Sequence, residues 1–167
     1  GNVYVLDAQL GVRRISHDGT ISTLARDKGS PLYAGVPTGE GSIAVTPSGT
    51  VYVACGDCHP PSSLGISDVY AITADGSVRV VAGGDRRVTG EGAAGVVPGA
   101  ANSTLLASPL GVAVDLHGNL FIADSGNNRI REISADGHVS TVAGSERGVG
   151  GFSGDGVPAT QASLSLA

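Results

Sequence analysis

The stretch Gly118-Asn-Leu-Phe-Ile-Ala-Asp-Ser-Gly-Asn-Asn-Arg-Ile-Arg-Glu-Ile-Ser-Ala-Asp-Gly-His-Val-Ser-Thr-Val-Ala-Gly144 occurs twice more in the chain in worn form, and that self-similarity decides the fold. One earlier copy is Gly1-Asn-Val-Tyr-Val-Leu-Asp7, running through Val12-Arg-Arg-Ile15 and Asp18-Gly-Thr-Ile21 to Leu24. The other is Gly49-Thr-Val-Tyr-Val-Ala54, running through Val69-Tyr-Ala-Ile72 and Asp75-Gly-Ser-Val78 to Gly83. Each copy holds three short β-prone runs separated by turn residues. Two copies carry one more run in front, Gly41-Ser-Ile-Ala-Val-Thr46 and Gly111-Val-Ala-Val-Asp115. Four strands per unit, repeated along the chain, predict an all-β protein built of four-stranded antiparallel blades, the architecture of a β-propeller.

Turn chemistry agrees with this reading. Asp18-Gly19, Asp75-Gly76 and Asp136-Gly137 each separate two β-prone runs, where a tight hairpin needs positive φ and glycine supplies it. Pro47-Ser-Gly49 and His117-Gly118-Asn119 do the same for the first hairpin of a blade. Val3-Tyr-Val-Leu6, Val51-Tyr-Val-Ala54 and Leu120-Phe-Ile-Ala123 are apolar at consecutive positions, as expected of strands covered on both faces. A chain of 167 residues with 27 glycines offers little to a helix. The one helix-compatible stretch, Pro98 to Leu106, is interrupted by Gly99 and Asn102 and reads as a connector with at most one helical turn. No apolar run reaches the ~18 residues of a membrane helix.

The repeats divide the chain as follows. Residues 1–40 are an incomplete blade lacking its inner strand. Residues 41–94 are a blade with a cysteine-containing insertion, Cys55 to Ser67, between its second and third strands. Residues 95–110 are a connector, residues 111–150 a further blade, and residues 151–167 a connector to a missing blade. A propeller closes with about four to eight blades, and an open one leaves apolar faces and strand edges in water. The sequence therefore predicts a segment of a longer protein, with association between copies as the second remedy; the absence of Met points the same way.

Gly111-Val-Ala-Val-Asp115, the phrase from Gly118 to Ile133, Val139-Ser-Thr-Val-Ala-Gly144 and Gly151-Phe-Ser-Gly-Asp-Gly-Val-Pro-Ala-Thr160 together resemble the NHL repeat, in the form found in bacterial cell-surface and secreted proteins. The resemblance implies a six-bladed propeller, of which this chain would be about half. It also implies a binding platform for protein or small ligands, extracytoplasmic and part of a larger surface, secreted or receptor protein. Some members of the wider group bind RNA, and some similar propellers are lyases or lactonases, so fold leaves the function open. The middle blade departs from the pattern, because Ala54-Cys-Gly-Asp-Cys-His59 stands where Asp124-Ser-Gly-Asn-Asn128 is expected.

Composition weighs against nucleic acid. Ten basic against 15 acidic residues give a net charge of −5, whereas nucleic-acid affinity comes from clustered Lys and Arg. Arg13-Arg14, Arg86-Arg87 and Arg129 with Arg131 are candidate local patches, but blade-to-blade contacts and hydrogen bonds to turn carbonyls are the simpler use for them. Arg129 and Arg131 would point the same way on a strand.

Cys55-Gly-Asp-Cys58-His59 spells the haem c attachment pattern, two thioether-forming thiols and an axial histidine. It lies in a loop of a β-blade, and the chain has no Met for a second axial ligand. A disulfide between Cys55 and Cys58 stapling an exposed loop of an extracytoplasmic protein is the preferred reading; haem attachment, free thiols and a zinc site stay open. Gly90-Glu-Gly-Ala-Ala-Gly95 lacks the strand and helix of a dinucleotide site and reads as a loop. Asn102-Ser-Thr104 is a glycosylation sequon only in a secreting eukaryote.

Loops between second and third strands share one propeller face, which collects Asp7, Gln9, Cys55 to Ser67, Asp124, Asn127, Asn128 and Arg129 as the candidate surface for a protein or small ligand. The alternative use of Asp124 and the Asn pair is to hold their own loop through side-chain to backbone hydrogen bonds. A catalytic propeller needs His or carboxylate groups converging near the axis. No inner strand here supplies a His, and Asp115 is the one acidic inner-strand end. The sequence is therefore read as a binding platform with no catalytic residue and no cofactor, the catalytic alternative requiring ligands in the missing half.

Overall fold

The computed structural model describes residues 1–7, 11–24, 41–56, 67–83, 106–145 and 148–166. Among the described residues eleven strands form three antiparallel sheets, which are the three repeats. The first contains β1 (Val3–Asp7), β2 (Gly11–Ile15) and β3 (Ile21–Thr23). The second contains β4 (Gly41–Val45), β5 (Val51–Cys55), β6 (Asp68–Ile72) and β7 (Val78–Ala82), in that spatial order. The third contains β8 (Pro109–Val114), β9 (Leu120–Asp124), β10 (Arg129–Ile133) and β11 (Val139–Ala143), also in sequence order. The up-and-down order is that of propeller blades. Two short 3-10 turns, Ser125–Asn127 and Ala159–Gln161, are the helical content of the described residues. No helix there is long and apolar enough to cross a membrane.

The hairpins share one geometry. Gly19, Gly49, Gly76, Gly118 and Gly137 all have φ between 83 and 87°, and each donates its N–H to the carbonyl three residues earlier. A turn of this kind closed by a left-handed residue adds a bulge, so glycine is selected there and the strands leave with the right twist. In three of the turns an aspartate completes the lock. The Asp75 carboxylate accepts from the Thr73 hydroxyl and from the Ser77 N–H at 3.0 Å, and Asp18 and Asp136 repeat this with Ser16 and Thr20, and with Ser134 and His138.

Register assigns each side chain to a face. The front of the third blade carries Leu120, Ile122 and Asp124 from β9, paired with Ile133, Arg131 and Arg129 from β10. Beyond them lie Val139 and Thr141 of β11. This face packs on the back of the second blade, where Ala54, Val69, Ala71, Val81 and Ala82 are buried with Leu120, Ile122, Ile133 and Val139 in one core cluster. The second blade presents its own front, with Val51, Val53, Cys55, Tyr70 and Ile72, to Val12, Tyr4 and Leu6 on the back of the first. Blades therefore stack front to back, and neither core is complete within one sheet.

One strand bound differs from the sequence reading, and two outer strands are irregular in register. The inner strand of the third blade starts at Pro109 rather than Gly111, with an irregularity between these residues that takes up the extra length. Outer strands β7 and β11 each meet a register shift, between Val69 and Tyr70 and between Ile130 and Arg131. The connector 95–110 is described only from residue 106.

Candidate binding face

The turn from Asp124 to Arg129 is held by its polar groups, bonded to one another and to neighbouring segments of the chain. The 3-10 turn Ser125–Asn127 ends at Asn128, which is left-handed at φ 51° and ψ 46°, a conformation that asparagine tolerates better than most side chains. The Asp124 carboxylate accepts the Ala107 N–H at 2.7 Å and the Asn127 side-chain amide at 2.9 Å. Gly126 donates its N–H to the Ala107 carbonyl at 2.8 Å; a Cβ on Gly126 would lie 2.7 Å from the Ala107 side chain, so glycine is required by the close approach.

The other end of the turn reaches forward. Asn128 donates its side-chain amide to the Gly148 carbonyl at 3.2 Å and accepts the Leu166 N–H at 3.2 Å. Arg129 donates Nε–H to the Ser145 carbonyl at 3.0 Å. One six-residue turn thus ties together the chain entering its blade, the chain leaving it and residue 166.

Asp124 is 1 % exposed and Arg129 and Arg131 are 4 % and 2 % exposed, so neither arginine belongs to a surface basic patch. Burial raises the Asp124 carboxyl above its ordinary value, against the opposing pull of the Ala107 and Asn127 hydrogen bonds and of the Arg131 and Arg129 charges. Burial likewise lowers Arg131, whose Nη1 donates to the Thr141 hydroxyl at 2.5 Å while its Nε has no partner among the described residues. Buried charges of this kind are tolerated because each has an opposite charge or a hydrogen bond beside it.

The first blade repeats the arrangement at equivalent register. Asp7 and Arg13 stand where Asp124 and Arg131 stand, 3.7 Å apart, and Arg13 is paired across the sheet with Thr23 as Arg131 is with Thr141. Here no sheet covers the front among the described residues: Val3, Val5 and Ile21 are 58, 42 and 52 % exposed. In the second blade the same two positions are Cys55 and Tyr70, both fully buried in an apolar cluster. The Tyr70 hydroxyl donates to Asp68 at 2.9 Å. An apolar pair with one tethered hydroxyl has replaced the ionic pair; the place of Tyr70 in it follows from strand register, which the sequence motif around Cys55 does not carry.

Around the turn, the loop face gathers the ends of several elements. Ser108, left-handed at φ 43° immediately before Pro109, donates its N–H to the Ser67 hydroxyl at 3.0 Å. Such a backbone is costly for a residue preceding proline and is held by its surroundings. A Cβ on Gly56 would be 3.3 Å from the Ser108 Cα, which brings the two ends of the middle blade's insertion against the inner strand of the third blade. Gly126 is exposed and Asn127 and Asn128 half-buried on this face, beside buried Asp124 and Arg129. Asp7 occupies the matching corner of the first blade. Gln9, Cys58 and His59 lie outside the described residues. Among the described residues no group of three His, Cys, Asp or Glu is placed to hold a metal.

Residues 63–162 match the family model described as the teneurin NHL domain. No curated protein sequence matches the chain. Among solved structures, a protein of unknown function from Bacteroides thetaiotaomicron superposes with a TM-score of 0.71 at 22 % identity, covering 98 % of this chain and 37 % of its own. An auxiliary nutrient binding protein from the same organism gives 0.61 at 18 % identity, covering 99 % of this chain and 39 % of its own. The chain thus spans about two fifths of the length of either structure, and at these identities the likeness shows a shared fold.

Proposed function

The chain belongs to the NHL-domain family matched by the teneurin model, and from that premise we propose that it is part of an extracytoplasmic propeller that holds a protein or a small ligand on its loop face. The propeller architecture itself supports a platform of stacked blades. The observation that carries the finer reading is the turn 124–129, pinned at both ends so that Gly126 and Asn127 are presented in one fixed geometry. In this reading Asp124, Asn128 and Arg129 act by positioning the loop, and the contact surface is the exposed backbone and amides they hold. A rigid scaffold with pre-ordered loops lowers the entropy cost of binding. The front of the first blade, with Asp7 and Arg13, is in the same reading a seat for a further blade of the same protein.

The extracytoplasmic placement rests on the family resemblance and on a disulfide between Cys55 and Cys58. Support for it comes from Cys55, which is fully buried between the first two blades and is not a free thiol. A haem thioether would draw that sulfur out of the core cluster, which favours the disulfide. The experiment is intact mass with an optical spectrum on protein from its native source, before and after reduction and alkylation. A colourless chain whose two cysteines alkylate only after reduction is the expected result. A Soret band with added haem mass would replace this reading with electron transfer, and cysteines alkylated without reduction would remove the argument for an oxidising compartment.

A further inference from the structure

The chain contains four Asp-Gly dipeptides, Asp18-Gly19, Asp75-Gly76, Asp136-Gly137 and Asp155-Gly156. All four glycines have φ between 83 and 87°, so local sequence and glycine conformation are matched and the surroundings of each aspartate make the difference. In the first three the carboxylate is clamped, accepting from a hydroxyl two residues before it and from a backbone N–H two residues after it. Asp155 stands differently. It occupies the exposed turn from Gly154 to Val157, closed by a bond from the Val157 N–H to the Gly154 carbonyl at 3.1 Å. Its carboxylate has no hydrogen bond among the described residues, whereas open space around the glycine is shared, since a Cβ on Gly156, Gly19 or Gly137 would meet nothing within 4 Å.

The geometry points to Asp155-Gly156 as a site of spontaneous covalent modification, the isomerisation of aspartate to isoaspartate through a cyclic imide. The Gly156 backbone nitrogen attacks the Asp155 side-chain carbonyl carbon and a new C–N bond forms. One carboxyl oxygen leaves as water, taking up the nitrogen's proton and the proton of the acid. Water then adds to either carbonyl of the five-membered ring. Opening at the side-chain carbonyl restores aspartate; opening at the main-chain carbonyl leaves the backbone running through the side chain, with an α-carboxylate beside it. No oxidant or co-reactant is consumed, and the water lost in the first step returns in the second.

Reaction requires the carboxyl carbon to swing onto the following nitrogen. The hydroxyl and N–H clamps hold Asp18, Asp75 and Asp136 away from that path, whereas Asp155 is free to rotate and Gly156 presents no side chain to hinder the approach. The added methylene would break the turn bond between Val157 and Gly154. It lies inside the loop closed by the Gly151 N–H to Leu164 carbonyl bond and the pairing of Ser153 with Ser163, so the lesion loosens the connector next to exposed Phe152.

The test is incubation of the folded chain at neutral pH and 37 °C, followed by peptide mapping that separates aspartyl from isoaspartyl peptides of equal mass. Isoaspartate is expected to build up at Asp155 several-fold faster than at the other three sites, and D155E, whose ring would have six members, is expected to abolish it there. The same incubation in denaturant is expected to bring the four rates together. Equal rates in the folded chain would overturn the proposal, and so would a ranking that survives in denaturant, because the turn sequence and not the clamps would then set it.

Discussion

Asp124 and Asp75 show how the same side chain is used in opposite ways a few residues from a hairpin. Asp75 is exposed, and the Thr73 hydroxyl followed by the Ser77 N–H holds its carboxyl below the ordinary value of 3.8. An acid lowered in the folded state contributes stability that is present above its unfolded value and lost as pH falls through the folded one. Asp124 is raised by burial, so its contribution runs the other way, present below 3.8 and lost as pH rises through the folded value. Carbon-detected titration of the side-chain carboxyls is expected to place Asp75 below 3.8 and Asp124 above it; the reverse order would refute the hydrogen-bond and burial assignments. In the same way, D124N should gain stability relative to the native chain as pH rises across that window, as read from urea midpoints. The Asp-Asn-Asn-Arg turn was legible in the sequence as a candidate surface. Its inward hydrogen bonding was not, because the partners Ala107, Ser145, Gly148 and Leu166 come from segments whose approach only the folded chain defines.

At the scale of elements, glycine fixes both the turns and the close contacts between strands, at different cost. Gly137 sits at a hairpin tip with φ 87° and open space around it, whereas Gly144 has φ 93° and a Cβ there would lie 2.4 Å from the Asn128 carbonyl oxygen. G137A should therefore cost only the conformational strain, about 1 kcal/mol. G144A adds a clash with backbone and should cost roughly 3 kcal/mol or more. Similar losses in urea unfolding would mean that the two outer-strand ends are less tightly packed than described. The strands and turns were readable because alternating hairpin signals are local. The bulge between Val69 and Tyr70 and its counterpart between Ile130 and Arg131 were not, since a bulge depends on how a strand closes against its neighbour.

For the whole molecule, the repeat identified the blades, and the front-to-back stacking explains why their sequences diverge. The same Asp-Arg-Thr set stands between the second and third blades as Asp124, Arg131 and Thr141, with the first two buried, and half-open on the first blade as Asp7, Arg13 and Thr23. Between them the second blade uses Cys55 and Tyr70, a replacement that becomes meaningful only when register aligns it with the charged pairs. What such a pair contributes is thus set by the neighbouring sheet. The most direct measurement compares urea unfolding of R131A with that of R13A in the 167-residue chain. Removing Arg131 takes one of two cationic charges from beside buried Asp124, strips Thr141 of its guanidinium partner and empties the space of a fully buried side chain, and should cost about 3 kcal/mol or more, whereas the half-open pair of Asp7 and Arg13 should lose less than about 1 kcal/mol. Equal losses would contradict the account, because the first blade's face would then be as covered as the third's.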